Sequence, residues 1–204
     1  MLSSHPDRVG RYTVKMDDGT VLRLYRQTVQ DFGLYVGREL TNEEKGALLL
    51  AAGEMSAKMR AVRIVSASNV SKADLEQRLI QKGEDPRQAK HAVKWMADMD
   101  LLDDQKTAKQ IVHRCISKGY GLVRAKQALY EKRIPKVYWD FALKDYPDQS
   151  DVILDFLRAR LDENSDSKAV RKVIDALLRK GHSYSEIRNG LQKLSLETDS
   201  AEDC

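Results

Sequence analysis

Lys106, Lys109, Arg114 and Lys118 recur at intervals of three to five residues, so several of them can share one face of a helix. Arg124, Lys126, Lys132 and Lys136 extend the positive charge along the chain. Ammonium and guanidinium groups in such a stripe attract phosphates by counterion release, without reading base sequence. The stripe suits an acidic protein surface equally well, and a solvated helix face is the plain alternative. Its setting sharpens the reading. Residues 105–147 hold ten basic residues against three acidic ones, a net charge of +7. The flanking segments are near balance, at −1 over residues 1–55, +1 over 56–104 and −3 over 148–204. Within the basic segment Tyr120, between Gly119 and Gly121, could stack on a nucleobase or pack in its loop. Trp95 and Trp139 read first as packing residues.

Other chemistry is sought without success. His5, His91, His113 and His182 are widely spaced and lack the i, i+4 partner of a helical metal site. Cys115 and Cys204 form neither a CxxC pair nor a disulfide framework, which fits a reducing compartment. No Gly-Lys-Ser/Thr phosphate loop occurs, and Gly33-x-x-x-Gly37 is only a pair of glycines near a turn. Asp103-Asp104 reads as a helix start, where carboxylates oppose the positive end of the dipole. Ser183 and Ser185 have no His/Asp geometry that the sequence can support. The expectation is a protein that is not an enzyme and uses no cofactor or metal.

The chain has 204 residues, 42% of them hydrophobic and 32% charged, enough for a packed core beneath a heavily solvated surface. Its longest apolar run, Ala47 to Ala52, falls far short of the roughly 20 residues that cross a bilayer. No basic-then-apolar leader opens it, so the expected location is the cytoplasm.

The elements that must position the basic stripe are read from a repeat. Leu75 to Gly83, Ala125 to Arg133 and Val173 to Gly181 each carry an apolar residue, Leu four places on and Lys three places further. The anchor residues Leu79, Leu129 and Leu177 lie 50 and 48 residues apart, the spacing of stacked structural units. Such units share apolar surface with their neighbours and serve surface contact more often than a buried active site. Before them, Tyr12, Val14 and Met16 alternate up to Asp18-Gly19 and are followed by Val21, Leu22 and Leu24, a β-hairpin pattern over residues 11–26. Phe32 to Val36 reads as a third extended piece or as a turn into a helix. Thr41 with Glu44 has capping-box spacing and opens a helix over about 42–66, continuous or broken near Gly53. Beyond it the pattern is helical. Ala89, Val93, Met96 and Ala97, then Ala108, Ile111, Val112 and Cys115, face inward, as do Tyr138, Phe141 and Ala142 in a helix begun at Pro135.

The fold class expected is therefore mainly α: tandem three-helix repeats in an elongated, curved array with a small N-terminal β-hairpin. Residues 1–40 form the hairpin extension, 41–104 a helical lead-in and the first repeat, 105–147 the second and basic repeat, 148–194 the third, and 195–204 a polar, frayed tail.

This combination resembles the bacterial RecX regulatory family. The resemblance rests on the Leu75 to Gly83 phrase, on Leu101-Leu102-Asp103-Asp104 followed by Ala108, and on Arg114, Gly119, Gly121, Arg124 and Leu129 in order. It covers residues of about 55–194. Asp100, Thr107 and Arg133 depart from the pattern, standing where the family usually shows Gly, Tyr and Gly. The resemblance implies a regulator that binds the RecA recombinase–DNA filament and inhibits its ATPase, strand-exchange and SOS coprotease activities, and a monomer is the separate expectation for its own state. It also implies that the second repeat meets RecA or single-stranded or filament-bound DNA. A plain DNA-binding helical protein, or a helical-repeat adaptor for another protein, remains the alternative.

Overall fold

A computed structural model describes residues 3, 5–162 and 165–202, with side chains to residue 195. The chain divides into two compact units, Met1–Asp103 and Asp104–Cys204.

The first unit opens with β1 (Arg11–Lys15) and β2 (Val21–Tyr25), paired antiparallel from Arg11↔Tyr25 to Lys15↔Val21. Gly19 turns the loop at a φ of +84°, where an L side chain would be strained. A short helix, α1 (Arg26–Asp31), follows β2 directly. Its six residues bury only Thr28, too little to leave a helical period in the sequence. Residues 32–36 form the turn and not a third strand: the Gly33 and Leu34 amides donate to the Gln30 and Val29 carbonyls.

Helix α2 (Asn42–Ala67) begins with the full capping box, Glu44 N donating to Thr41 Oγ1 and Thr41 N to Glu44 Oε2. It runs unbroken through Gly53, whose bare Cα leaves room for the Gln88 side chain where a Cβ would meet it. Helices α3 (Lys72–Gln81) and α4 (Pro86–Asp98) start on the caps Ser71 and Asp85. Ala57, Ala61, Ala89 and Ala92 let the helices approach closely around Leu75, Leu79 and Met96. The hairpin is held to α2 by Lys45, which pairs with Asp18, and by Arg63, which donates to Tyr25 Oη at 2.7 Å.

The second unit holds two further helix triples. Helices α5 (Asp104–Ser117) and α6 (Leu122–Glu131), a 3₁₀ turn (Lys136–Tyr138) and α7 (Trp139–Leu143) enclose Ala108, Val112, Leu129 and Ile134. Helices α8 (Ser150–Arg158), α9 (Ser167–Arg179) and α10 (Tyr184–Glu202) enclose Ile153, Leu157, Val173, Leu177 and Ile187. Helix α10 continues into the segment read as a polar tail, and Cys204 lies outside the described residues. Phe141 corrects the inner-face reading, being 45% exposed. The third element of this triple is a 3₁₀ turn and barely more than one α-helical turn, so its facing shifts from an α period. Tyr138 and Ala142 pack inward as their pattern implied, and Trp139 joins them in place of Phe141.

The middle helix of each triple ends in one and the same hydrogen-bond pattern. Gly83, Arg133 and Gly181 donate to Ile80, Tyr130 and Leu178, while Glu84, Ile134 and His182 donate to Leu79, Leu129 and Leu177. These are the paired bonds of a Schellman cap, which satisfies the last carbonyls of a helix. The three leucines are also fully buried. Each anchor thus serves the core with its side chain and the helix end with its carbonyl.

Candidate functional site

Helix α5 separates its residues cleanly by face. Thr107, Ala108, Val112 and Cys115 are buried against α6 and α7, while Lys106, Lys109, His113 and Arg114 are exposed on the opposite side. Lys106, Lys109 and Arg114 therefore form the stripe that their spacing implied. Lys118, just past the helix, is also exposed. The apolar stems of such side chains cover neighbouring surface while the charged heads stay in water. Lys109 illustrates this: its Nζ lies 4.1 Å from the centre of the Phe141 ring, a cation–π contact.

The remaining basic residues divide. Lys126 is exposed on α6 and Lys136 on the 3₁₀ turn. Lys132 is half-buried at the end of α6. Arg124 is half-buried and engaged internally, its Nη1 lying 3.1 Å from Glu131 Oε1. A Cβ on Gly181 would also run into the Arg124 backbone, so this position packs the second triple against the third. Arg124 is thus a structural member of the basic set.

Beside the lysines the structure exposes apolar surface that the repeat pattern did not single out. Val123 and Tyr130 on α6 are 60% and 73% exposed, and Val137 is 77% exposed. Tyr130, Arg133, Lys136 and Trp139 border a shallow cavity of about 440 Å³. A signal was present in the sequence. Ala125, Ala128 and Leu129 define the inner face of α6, and Val123 and Tyr130, seven residues apart, fall together off that face. Exposed aromatic and aliphatic groups among cations are what interface cores are made of.

The aromatic stacking candidates mostly serve packing. Trp139 Nε1 donates to Ile134 O at 3.0 Å, and Trp95 packs against the first core with Lys58 over its ring. The Tyr120 ring is half-buried with Lys180 Nζ 5.4 Å from its centre. Its carbonyl accepts from Tyr146 Oη at 2.6 Å, and burial pushes the Tyr146 hydroxyl up to about 12. Burial likewise raises the Cys115 thiol, outweighing the downward pull of Arg124, Lys118 and Arg114, so Cys115 behaves as a core residue and not as a nucleophile. Among the described residues no helix is long and apolar enough to cross a membrane.

No family model matches the chain. Curated relatives do. It is 27% identical over 150 residues to the regulatory protein RecX of Vibrio campbellii, covering 70% of this chain and 94% of that one. It is 27% identical over 194 residues to the regulatory protein RecX of Clostridioides difficile, covering 92% and 90%. The fold matches a crystal structure of regulatory protein RecX with a TM-score of 0.62 at 22% identity, over 93% of this chain and 97% of that one. It matches RecX from Lactobacillus salivarius with a TM-score of 0.59 at 22% identity, over 72% and 99%.

Proposed function

We propose, from the premise that this chain belongs to the RecX family, that it is a non-enzymatic cytoplasmic regulator of the RecA recombinase, acting on the RecA–DNA filament. The observation that carries the reading is the α5 face, where Lys106, Lys109 and Arg114 stand exposed in the segment of net charge +7. That face, with Lys118, Lys126 and Lys136, meets either the phosphates of filament-bound DNA or acidic surface on RecA. Val123, Tyr130 and Val137 supply the apolar part of the same contact.

Binding alone does not regulate a filament. A ligand shifts the balance between two filament states only through different affinity for them. A monomer that touches adjacent RecA protomers meets that condition, because the relation between protomers is what differs between states. The resemblance supports inhibition of ATP turnover, strand exchange and coprotease activity as the outcome.

The test is DNA-dependent ATP hydrolysis by RecA on single-stranded DNA, titrated with this protein, beside a titration of naked DNA at the same salt. Inhibition well below the concentration that coats naked DNA is expected. Inhibition only once the DNA is coated, or none at all, would overturn the proposal in favour of a plain DNA-binding or adaptor role.

A further inference from the structure

The N-terminal unit holds a second concentration of positive charge, which segment totals conceal because its members come from three separate elements. Arg11 of β1, Arg60 and Arg63 of α2, Arg78 of α3 and Lys82 at the end of α3 line one cleft of about 500 Å³. Three of these cations are tied to carboxylates. Arg11 pairs with Asp7 at 2.8 Å, Arg60 with Glu84 at 2.6 Å and Arg78 with Asp74 at 2.9 Å. Among the described residues neither Arg63 nor Lys82 has a carboxylate partner. Arg63 is oriented by neutral groups instead, Nη2 donating to Tyr25 Oη at 2.7 Å and Nε to Met59 O at 3.0 Å. The cleft therefore keeps two positive charges in excess, one of them pre-oriented.

The paired arginines are not exhausted as donors, since a guanidinium carries five N–H groups. Arg11 spends Nε and Nη2 on Asp7, which leaves Nη1. Arg60 Nη1 donates to the Lys82 carbonyl, while Nε lies beside Glu84 as an ion pair without a hydrogen bond, which leaves Nη2. Holding the arginines in place beforehand reduces the side-chain entropy that a ligand would otherwise have to remove. The residues that line this cleft come from three separate elements, β1, α2 and α3. A carboxylate offers two coplanar oxygens, whereas a phosphate offers oxygens in a tetrahedral arrangement and more charge. Guanidinium forks match phosphate oxygens in pairs.

We propose that this cleft binds a phosphate group, carried either on a nucleic-acid strand or by a free polyphosphate. The site shares no residue with the basic face of α5. It also assigns the N-terminal hairpin a task, because β1 supplies Arg11 and β2 supplies the Tyr25 hydroxyl that orients Arg63.

The test uses the full chain and the variant Arg63→Gln/Lys82→Gln, both exposed positions outside the core. Lys82→Gln alone serves as a second variant that leaves the Tyr25 hydrogen bond intact. Circular dichroism verifies folding. Binding of inorganic pyrophosphate is read by calorimetry, and binding of a labelled 20-residue oligothymidylate by fluorescence anisotropy. The double variant is expected to lose affinity by about fivefold or more, and Lys82→Gln by a smaller factor, as expected for losing charged hydrogen bonds. A loss for the oligothymidylate alone assigns the strand, a loss for pyrophosphate alone the free polyphosphate, and a loss for both a site that accepts either. Unchanged binding of both ligands overturns the proposal. So does a site that takes polyglutamate, read by the same calorimetry, while both phosphate ligands bind the variants as they bind the parent.

Discussion

Arg133 holds, at a φ of +53°, the left-handed turn that Gly83 holds at +88° in the preceding helix triple. Both close a Schellman cap over an equivalent leucine, Leu129 and Leu79. Asp100, at +56°, closes the corresponding cap at the end of α4, over Met96. Asp100 and Arg133, two of the positions that depart from the RecX pattern the sequence resembles, thus keep the backbone conformation that glycine favours. The hydrogen bonds of the cap and the burial of the apolar residue beneath it, Met96 or Leu129, outweigh the local strain of a Cβ in that region.

That strain is recoverable. A non-glycine residue in the left-handed region costs about 1–2 kcal/mol, part of which glycine returns as unfolded-state entropy. Arg133→Gly and Asp100→Gly should each raise stability by about 0.5–1 kcal/mol in urea unfolding, while Gly83→Ala should lower it by about 1 kcal/mol. Loss of stability in Arg133→Gly would show that its side chain contributes more than its backbone costs.

Gly121 tests a different constraint. Its φ of −77° suits any residue, yet a Cβ there would lie inside contact distance of the Gly181 carbonyl and the His182 amide. The Gly121 amide also donates to Lys180 O at 3.0 Å. Gly121→Ala should therefore destabilise by about 2–3 kcal/mol through overpacking alone. Gly46→Ala, where the added methyl meets open space within α2, should stabilise by up to about 1 kcal/mol. Equal effects at the two sites would sink the argument.

His182 should make stability fall in mild acid. It is buried, and burial lowers its affinity for a proton although the Gly119 carbonyl, 3.2 Å from Nε2, and Glu186 oppose that shift. The charge of Lys180 works with burial. A depressed folded-state value means that the unfolded chain binds the proton more tightly. The contribution is then complete above the unfolded value, near 6.5, and is lost as pH falls below it. His182→Gln should flatten the drop in urea midpoint between about pH 7 and 5.5. An unaltered drop in the variant would assign the acid limb to other groups.

The basic face makes a salt-dependent prediction. If Lys106, Lys109 and Arg114 each meet one phosphate, replacing all three with Ala should reduce the slope of log affinity against log salt on single-stranded DNA by about 2. Arg124→Ala should leave the slope unchanged and lower stability instead, because Arg124 is paired with Glu131 and packed near Gly181. A slope change in Arg124→Ala with normal stability would reverse that division of roles.

The repeat was legible before any coordinates because each middle helix must do the same two things, bury a leucine and terminate. Leu79, Leu129 and Leu177 with their trailing Lys record both demands in local sequence. The capping box at Thr41 and Glu44 was legible for the same reason, since its partners lie three residues apart. The exposed lysines of α5 followed from helical period alone. Helix α1 was not legible, being held by the turn at Gly33 and by its neighbours more than by any stripe of its own. Phe141 was misplaced because a 3₁₀ turn changes the angular step that an α period assumes.

Local sequence thus determined the helices, their caps, the hairpin and the sign and face of the α5 charge, because each depends on residues only a few positions apart. Tertiary structure decided which of those charges remain available. Arg124 was drawn into Glu131 and the Gly181 contact, and Arg11, Arg60, Arg63, Arg78 and Lys82 were gathered around one cleft. Residues as far apart in sequence as Arg11 and Lys82 acquire a common electrostatic field only when folding brings them to one cleft, and no periodicity along the chain encodes that proximity.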